Sequence, residues 1–125
     1  MPHLFKRRER AYVPAMRTPV PRVAAIHDLA GFGHISLTVV IPIFSTMGIQ
    51  VCPLPTAVVS TDTAMFENFR FVDLTDSMPG FLAHWKELGL SFDAVYSGFL
   101  GSPAQVAIVE DCIRNCLDPG GLAVV

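Results

Sequence analysis

The chain has 125 residues, enough for one small domain or part of a larger one. Apolar residues make up 51% and charged residues 16%, which supplies ample material for a core and excludes disorder of the whole. The net charge of −2 gives no general pull toward nucleic acid, and no apolar run is long enough to span a bilayer, because Pro42 and polar residues interrupt Ile35 to Ile49.

Met1 to Pro21 stands apart from the rest. It carries Lys6, Arg7, Arg8, Arg10 and Arg17 together with Pro14, Pro19 and Pro21, and it lacks a core-forming periodicity. Its basic character would suit a targeting peptide or a contact with anionic partners. Glu9 and the absence of serines weigh against the targeting peptide. The expectation is a solvated, poorly ordered extension over residues 1–21, followed by a domain over residues 22–125.

Val23 to Ile26 is a short apolar run without alternation, as in a strand buried on both faces. His27 and Asp28 place polar groups where that strand would end, and Gly31 and Gly33 allow a sharp turn and a close ligand approach. In an open parallel sheet, ligands bind outside the carboxyl ends of strands. Part of a small-molecule site is therefore expected over Asp28 to His34, the alternative being a tight turn that binds nothing. Ile35 to Met47 reads as a helix, apolar nearly all round, with Ser36 as a possible N-cap, Pro42 inside it and Gly48 as its stop. Ile49 to Leu54 reads as the second strand, closed by Pro53 and Pro55.

Thr56 to Thr63 forms a second polar cluster, including Ser60, Thr61 and Asp62. Turn and cap chemistry explains such a cluster; a row of hydroxyls bonding a polar ligand also does. Phe66, Phe69 and Phe71 follow with mixed spacing and are expected to pack in the core. Asp76 or Ser77 caps a helix from about Pro79, whose stripe is Phe81, Leu82, Trp85 and Leu88. Phe92 to Tyr96 is the third strand. Ser97 to Pro103 is a third polar, glycine-bearing loop, in which Ser102 caps the next helix and Pro103 opens it. That helix should run to about Leu117 with Val106, Val109, Ile113 and Cys116 on one face. Asp118 to Gly121 turns, and Leu122 to Val125 begins a fourth strand.

The alternation implies an α/β fold, a mostly parallel sheet with right-handed crossovers in three αβα layers. Cys52, Cys112 and Cys116 form no zinc pattern. Buried free thiols are expected, and their odd number fits a reducing cytoplasm.

Four segments together resemble the N-terminal half of bacterial pyridoxal or pyridoxamine kinases, of the ribokinase-like superfamily. They are Ile26-His-Asp-Leu-Ala-Gly-Phe-Gly-His34, Pro53-Leu-Pro-Thr-Ala-Val58, Ser60-Thr-Asp-Thr63 and Tyr96-Ser-Gly-Phe-Leu-Gly-Ser102. The resemblance covers about Arg22 to Val125. It implies ATP-dependent phosphorylation of the 5′-hydroxymethyl of a B6 vitamer (pyridoxal, pyridoxine or pyridoxamine), with Mg2+, in a cytoplasmic homodimer. It places substrate-binding positions at Asp28, Gly33, Thr63 and Phe99, with His34, Asp62 and Ser97 beside them. Many relatives carry serine at the position of Asp28, tyrosine at that of Phe99 and histidine at that of Asp62. The superfamily's Gly-x-Gly-Asp, which provides the phosphate cradle and the general base, does not occur here. The expectation is thus the substrate half of a kinase, inactive alone, without a metal site or catalytic base of its own. A hydroxymethylpyrimidine kinase relative and a non-catalytic vitamer-binding fragment are the alternatives.

Overall fold

The computed structural model describes residues 20–125. The expectation for residues 1–21 falls, but for Val20 and Pro21, outside the described residues. Pro21 accepts a hydrogen bond at its main-chain oxygen from Gln50 N–H over 2.8 Å, so contact with the second strand begins there.

The elements in order are β1 (Arg22–Phe32), α1 (Leu37–Thr46), β2 (Gln50–Thr61), β3 (Phe71–Asp73), α2 (Met78–Glu87), β4 (Phe92–Ser97), α3 (Pro103–Cys116) and β5 (Leu117–Val124). The sheet order is β3-β2-β1-β4-β5. All pairs are parallel except β2 with β3. This is the expected α/β architecture with one strand more than the apolar runs reveal. β3 has three exposed residues, too few for a periodic signal.

Ala24, Ile26, Leu54 and Val95 pack on one side of the sheet against Met78 and Leu82 of α2 and Val109, Cys112 and Cys116 of α3. Successive strand residues face opposite ways, so Tyr96, beside Val95, looks to the other side. There its ring meets Phe44 of α1 edge-on, 5.9 Å between centroids. The sheet is therefore covered by α1 on one face and by α2 and α3 on the other.

Several boundaries and faces differ from expectation. β1 and β2 do not stop at Ile26 and Leu54. Their ladder continues, after an irregularity between His27 and Leu29, through Leu29 opposite Val58 and Phe32 opposite Thr61. Gly31 therefore lies inside a strand, where its missing Cβ admits the Ser60 carbonyl. Ile43 on α1 and Met47 at its C-cap are exposed rather than covered. On α3 the buried face is Gln105, Val109, Cys112 and Cys116, and Val106 points outward. Ser102 caps α3 as expected, its hydroxyl accepting Gln105 N–H over 3.4 Å. Ser36 and Ser77 occupy the N-cap positions of α1 and α2 without a side-chain cap bond. All three cysteines are free thiols; Cys112 and Cys116 are buried and Cys52 is half-buried. Among the described residues no helix is long and apolar enough to cross a membrane.

Candidate functional site

The chain leaves β1 through α1 to reach β2 on one side, and later reaches β4 on the other. The crossing direction changes at β1, which leaves a crevice beyond the carboxyl ends of the strands. Such a crevice is where open α/β sheets bind ligands. Here it holds a cavity of about 400 Å³ whose lining includes Asp28, Asp62, Thr63, Phe69, Phe71 and Phe99. That size accommodates a substituted ring ligand.

Asp28 is 6% exposed, at the irregularity in β1. Its Oδ1 lies 2.8 Å from Nδ1 of His27. Among the described residues no backbone N–H donates to its carboxylate, so it does not cap a loop. Asp62 follows the end of β2 and is also buried. Its main-chain N–H donates to Phe32 O over 2.9 Å, and its Oδ1 accepts Ala64 N–H over 2.7 Å. One carboxylate oxygen is thereby used to close its own turn. Gly33 has φ +109°, and a Cβ there would sit 3.1 Å from Asp62 Cβ, so both its conformation and its closeness to Asp62 favour glycine. Ser36, another lining residue, has φ 56°, a conformation few non-glycine residues adopt.

Phe99 is 53% exposed on the loop after β4. Its main-chain oxygen accepts from Thr56 Oγ1 over 3.4 Å. Phe69 and Phe71 come from the segment entering β3. That segment is tied to β2 through Ser60 N–H to Arg70 O (2.9 Å) and Arg70 N–H to Ser60 Oγ (2.7 Å). Three aromatic rings and two carboxylates thus frame the cavity, and its lining contains no lysine or arginine. With two acids and no fixed cation, the cavity attracts a protonated ring nitrogen or a donor-rich ligand and disfavours a phosphate.

Gly33 and His34 open instead on a neighbouring cavity of about 670 Å³, which Asp62 shares and where Phe32 and Phe66 meet edge-on. Ser97 is buried at the end of β4 and lines neither cavity. Phe69 and Phe71 escaped the sequence reading, which placed them in the core. The signal was there: Phe69-Arg70-Phe71 alternates after Asn68, a turn-forming residue that adopts φ 55°. Among the described residues, no group of three or more metal-ligating side chains is arranged to hold an ion.

No family model matches the chain, and no curated protein matches it. Solved structures do. A Bacteroides thetaiotaomicron chain, named as a phosphomethylpyrimidine kinase and crystallised with pyridoxal, is 56% identical over 83% of this chain, with a TM-score of 0.80. Its rhombohedral form gives 53% over 87% and a TM-score of 0.83. Pyridoxal kinase from Lactobacillus plantarum is 30% identical over 83%, with a TM-score of 0.77. Pyridoxal kinase from Staphylococcus aureus, in complex with AMP-PCP, shares the fold at 19% identity and a TM-score of 0.63. The chain spans only 36–38% of the length of these proteins. In fold, and in sequence to the first two proteins, this chain is similar to the N-terminal part of ribokinase-like pyridoxal and phosphomethylpyrimidine kinases.

Proposed function

We propose that residues 22–125 form the vitamer-binding part of a pyridoxal kinase, which transfers a phosphoryl group from ATP, with Mg2+, to the 5′-hydroxymethyl of a B6 vitamer. The observation that carries this reading is the aromatic, doubly acidic cavity at the strand ends. The 56% identity to a chain crystallised with pyridoxal supports it. Asp28 accepts a hydrogen bond from the protonated ring nitrogen, a charge-assisted contact roughly twice as strong as a neutral one. Thr63 serves the phenolic oxygen. Phe99, Phe69 and Phe71 offer aromatic faces to the ring. Asp62 shapes the wall through Gly33. His34 and Ser97 stand outside this contact set.

Phosphoryl transfer depends on positioned charge around the phosphates, and the cavity lining carries no lysine or arginine to provide it. The 125-residue chain therefore binds a vitamer without turning it over. A cytoplasmic homodimer is the assembly that the family resemblance implies for the whole kinase.

Calorimetric titration with pyridoxal, pyridoxine and pyridoxamine tests the binding, and a coupled ATPase assay tests the absence of turnover. No heat with any vitamer overturns the binding reading. Vitamer-dependent ATP turnover by this chain overturns the second part. A second reading, a kinase of hydroxymethylpyrimidine, is favoured by the name of the Bacteroides chain. Tighter binding of 4-amino-5-hydroxymethyl-2-methylpyrimidine than of any vitamer would establish it.

A further inference from the structure

Consecutive residues of a regular strand point to opposite faces of the sheet. His27 and Asp28 of β1 do not: Nδ1 and Oδ1 are 2.8 Å apart. The contact falls where the pairing with β2 slips. His27 is opposite Pro55 and Leu29 opposite Val58, so Asp28 faces two residues, Thr56 and Ala57. Bulges of this kind re-aim side chains and gather beside active sites. The fold also clears space for the ring. A Cβ on Gly98, which follows β4, would collide with the His27 imidazole at Nε2, and Tyr96 flanks the ring at 6.2 Å between centroids. Asp28 lines the 400 Å³ cavity and His27 does not.

The geometry points to His27 as a positioning residue that donates from Nδ1 to Asp28 Oδ1, leaving Asp28 Oδ2 free to receive a hydrogen-bond donor of the ligand. A proton must lie between the two atoms. An unprotonated Nδ1 would set lone pair against lone pair at 2.8 Å, although it could accept Asp28 N–H, which lies 3.1 Å away. With the proton on Nδ1, the ring donates and the carboxylate oxygen accepts. The donated bond fixes the carboxylate rotamer. His27 thereby acts on the ligand through Asp28 and without touching it, much as the outer partner of a metal-binding histidine orients it.

The ligand arm of this inference rests on the proposed vitamer site; the proton on Nδ1 does not. Two measurements on the full chain keep them apart. The first is the ¹⁵N spectrum of the ligand-free protein, with His27 assigned by the signal that His27→Asn removes. A proton on Nδ1 is expected. A bare Nδ1 overturns the inference whatever the ligand does. The second is pyridoxal titration of His27→Leu, His27→Asn, Asp28→Asn and the double variant His27→Leu/Asp28→Asn. His27→Leu is expected to weaken binding about tenfold, the scale of one lost hydrogen bond to a charged group. His27→Asn, whose amide nitrogen stands near the Nδ1 position, is expected to return affinity to within about threefold. In the double variant the His27 effect should vanish, because residues in one hydrogen-bonded pair are not additive. Unchanged affinity in His27→Leu, or fully independent losses in the double variant, overturns the inference. His27→Ala replaces His27→Leu if the latter does not fold. Should wild type fail to bind pyridoxal, the proposed function falls and the ¹⁵N spectrum decides the pair alone.

Discussion

Gln105, in the first turn of α3, donates from Nε2 to the main-chain oxygen of Thr56 on β2 across 3.0 Å. The same amide donates to Thr75 Oγ1 (2.9 Å) and accepts Gly101 N–H at Oε1 (2.6 Å). One side chain, only 1% exposed, thus ties the loop of Phe99 to β2 and to the turn before α2. A buried amide with this many partners stabilises, and a broken network costs more than the bonds alone suggest.

Gln105→Leu should therefore lower stability by about 1–3 kcal/mol, the range for leaving buried polar groups unpaired. Chemical denaturation should show the loss at unchanged m-value. An equal or higher midpoint would mean that the network contributes nothing.

Gly98→Ala places a methyl group in the His27 imidazole. Overpacking a fitted site typically costs about 1–3 kcal/mol, and the direct overlap here puts the expected loss at the upper end. The double variant Gly98→Ala/His27→Ala should recover most of it, since the ring is the obstacle. Thermal melts of the two proteins compare the cases; no recovery would place the strain in the backbone instead.

Asp28→Asn removes the charge that the proposed ring contact uses while keeping the shape. Pyridoxal affinity should fall by about 1.5–3 kcal/mol. The melting temperature should move little, because among the described residues Asp28 caps no backbone group. The same wall should bind pyridoxal more tightly than its 5′-phosphate, since two buried acids face the added negative charge. Titration of both ligands checks this, and a phosphate preference would point to a cation source elsewhere.

Burial, with the neighbouring Cys116, pushes the Cys112 thiol up to about 12 from its ordinary 9.0, and burial also raises Cys116. Native protein at pH 8 should therefore leave both unreactive toward a thiol reagent, with full reaction after unfolding. A raised thiol pKa also ties stability to pH. Below the unfolded value the native and unfolded thiols are both protonated, and stability is complete. Above it the unfolded chain sheds the proton first, so stability declines as pH climbs from about 9 toward 12. Urea titrations at successive pH values should show the decline, and Cys112→Ala should make it shallower.

Local signals in the sequence determined the order of all elements but β3, the mostly parallel sheet and three helices. They work because each depends on near neighbours. Pro103 and Ser102 open α3, and the unbroken apolar run at Val23 to Ile26 marks a central strand. They also directed attention to Asp28, Asp62 and Thr63, since polar residues expected at strand ends collect at one end of such a sheet; Phe99 was reached only through the resemblance to pyridoxal kinases. Only the tertiary structure decided how far the strands run and which of those residues meet. The pairing of Leu29–Phe32 with Val58–Thr61 joins positions about 29 apart in the chain, and no window of sequence contains both partners. β3 was hidden because its three exposed residues are too few for a periodic signal; pairing of Phe71 with Val59 of β2 sets it beside the cavity. Rotation of α3 against the sheet buries Gln105 and exposes Val106, the reverse of what their polarity alone suggests. The His27–Asp28 contact was least legible of all, because strand periodicity separates neighbours and only a slip in long-range register brings them together.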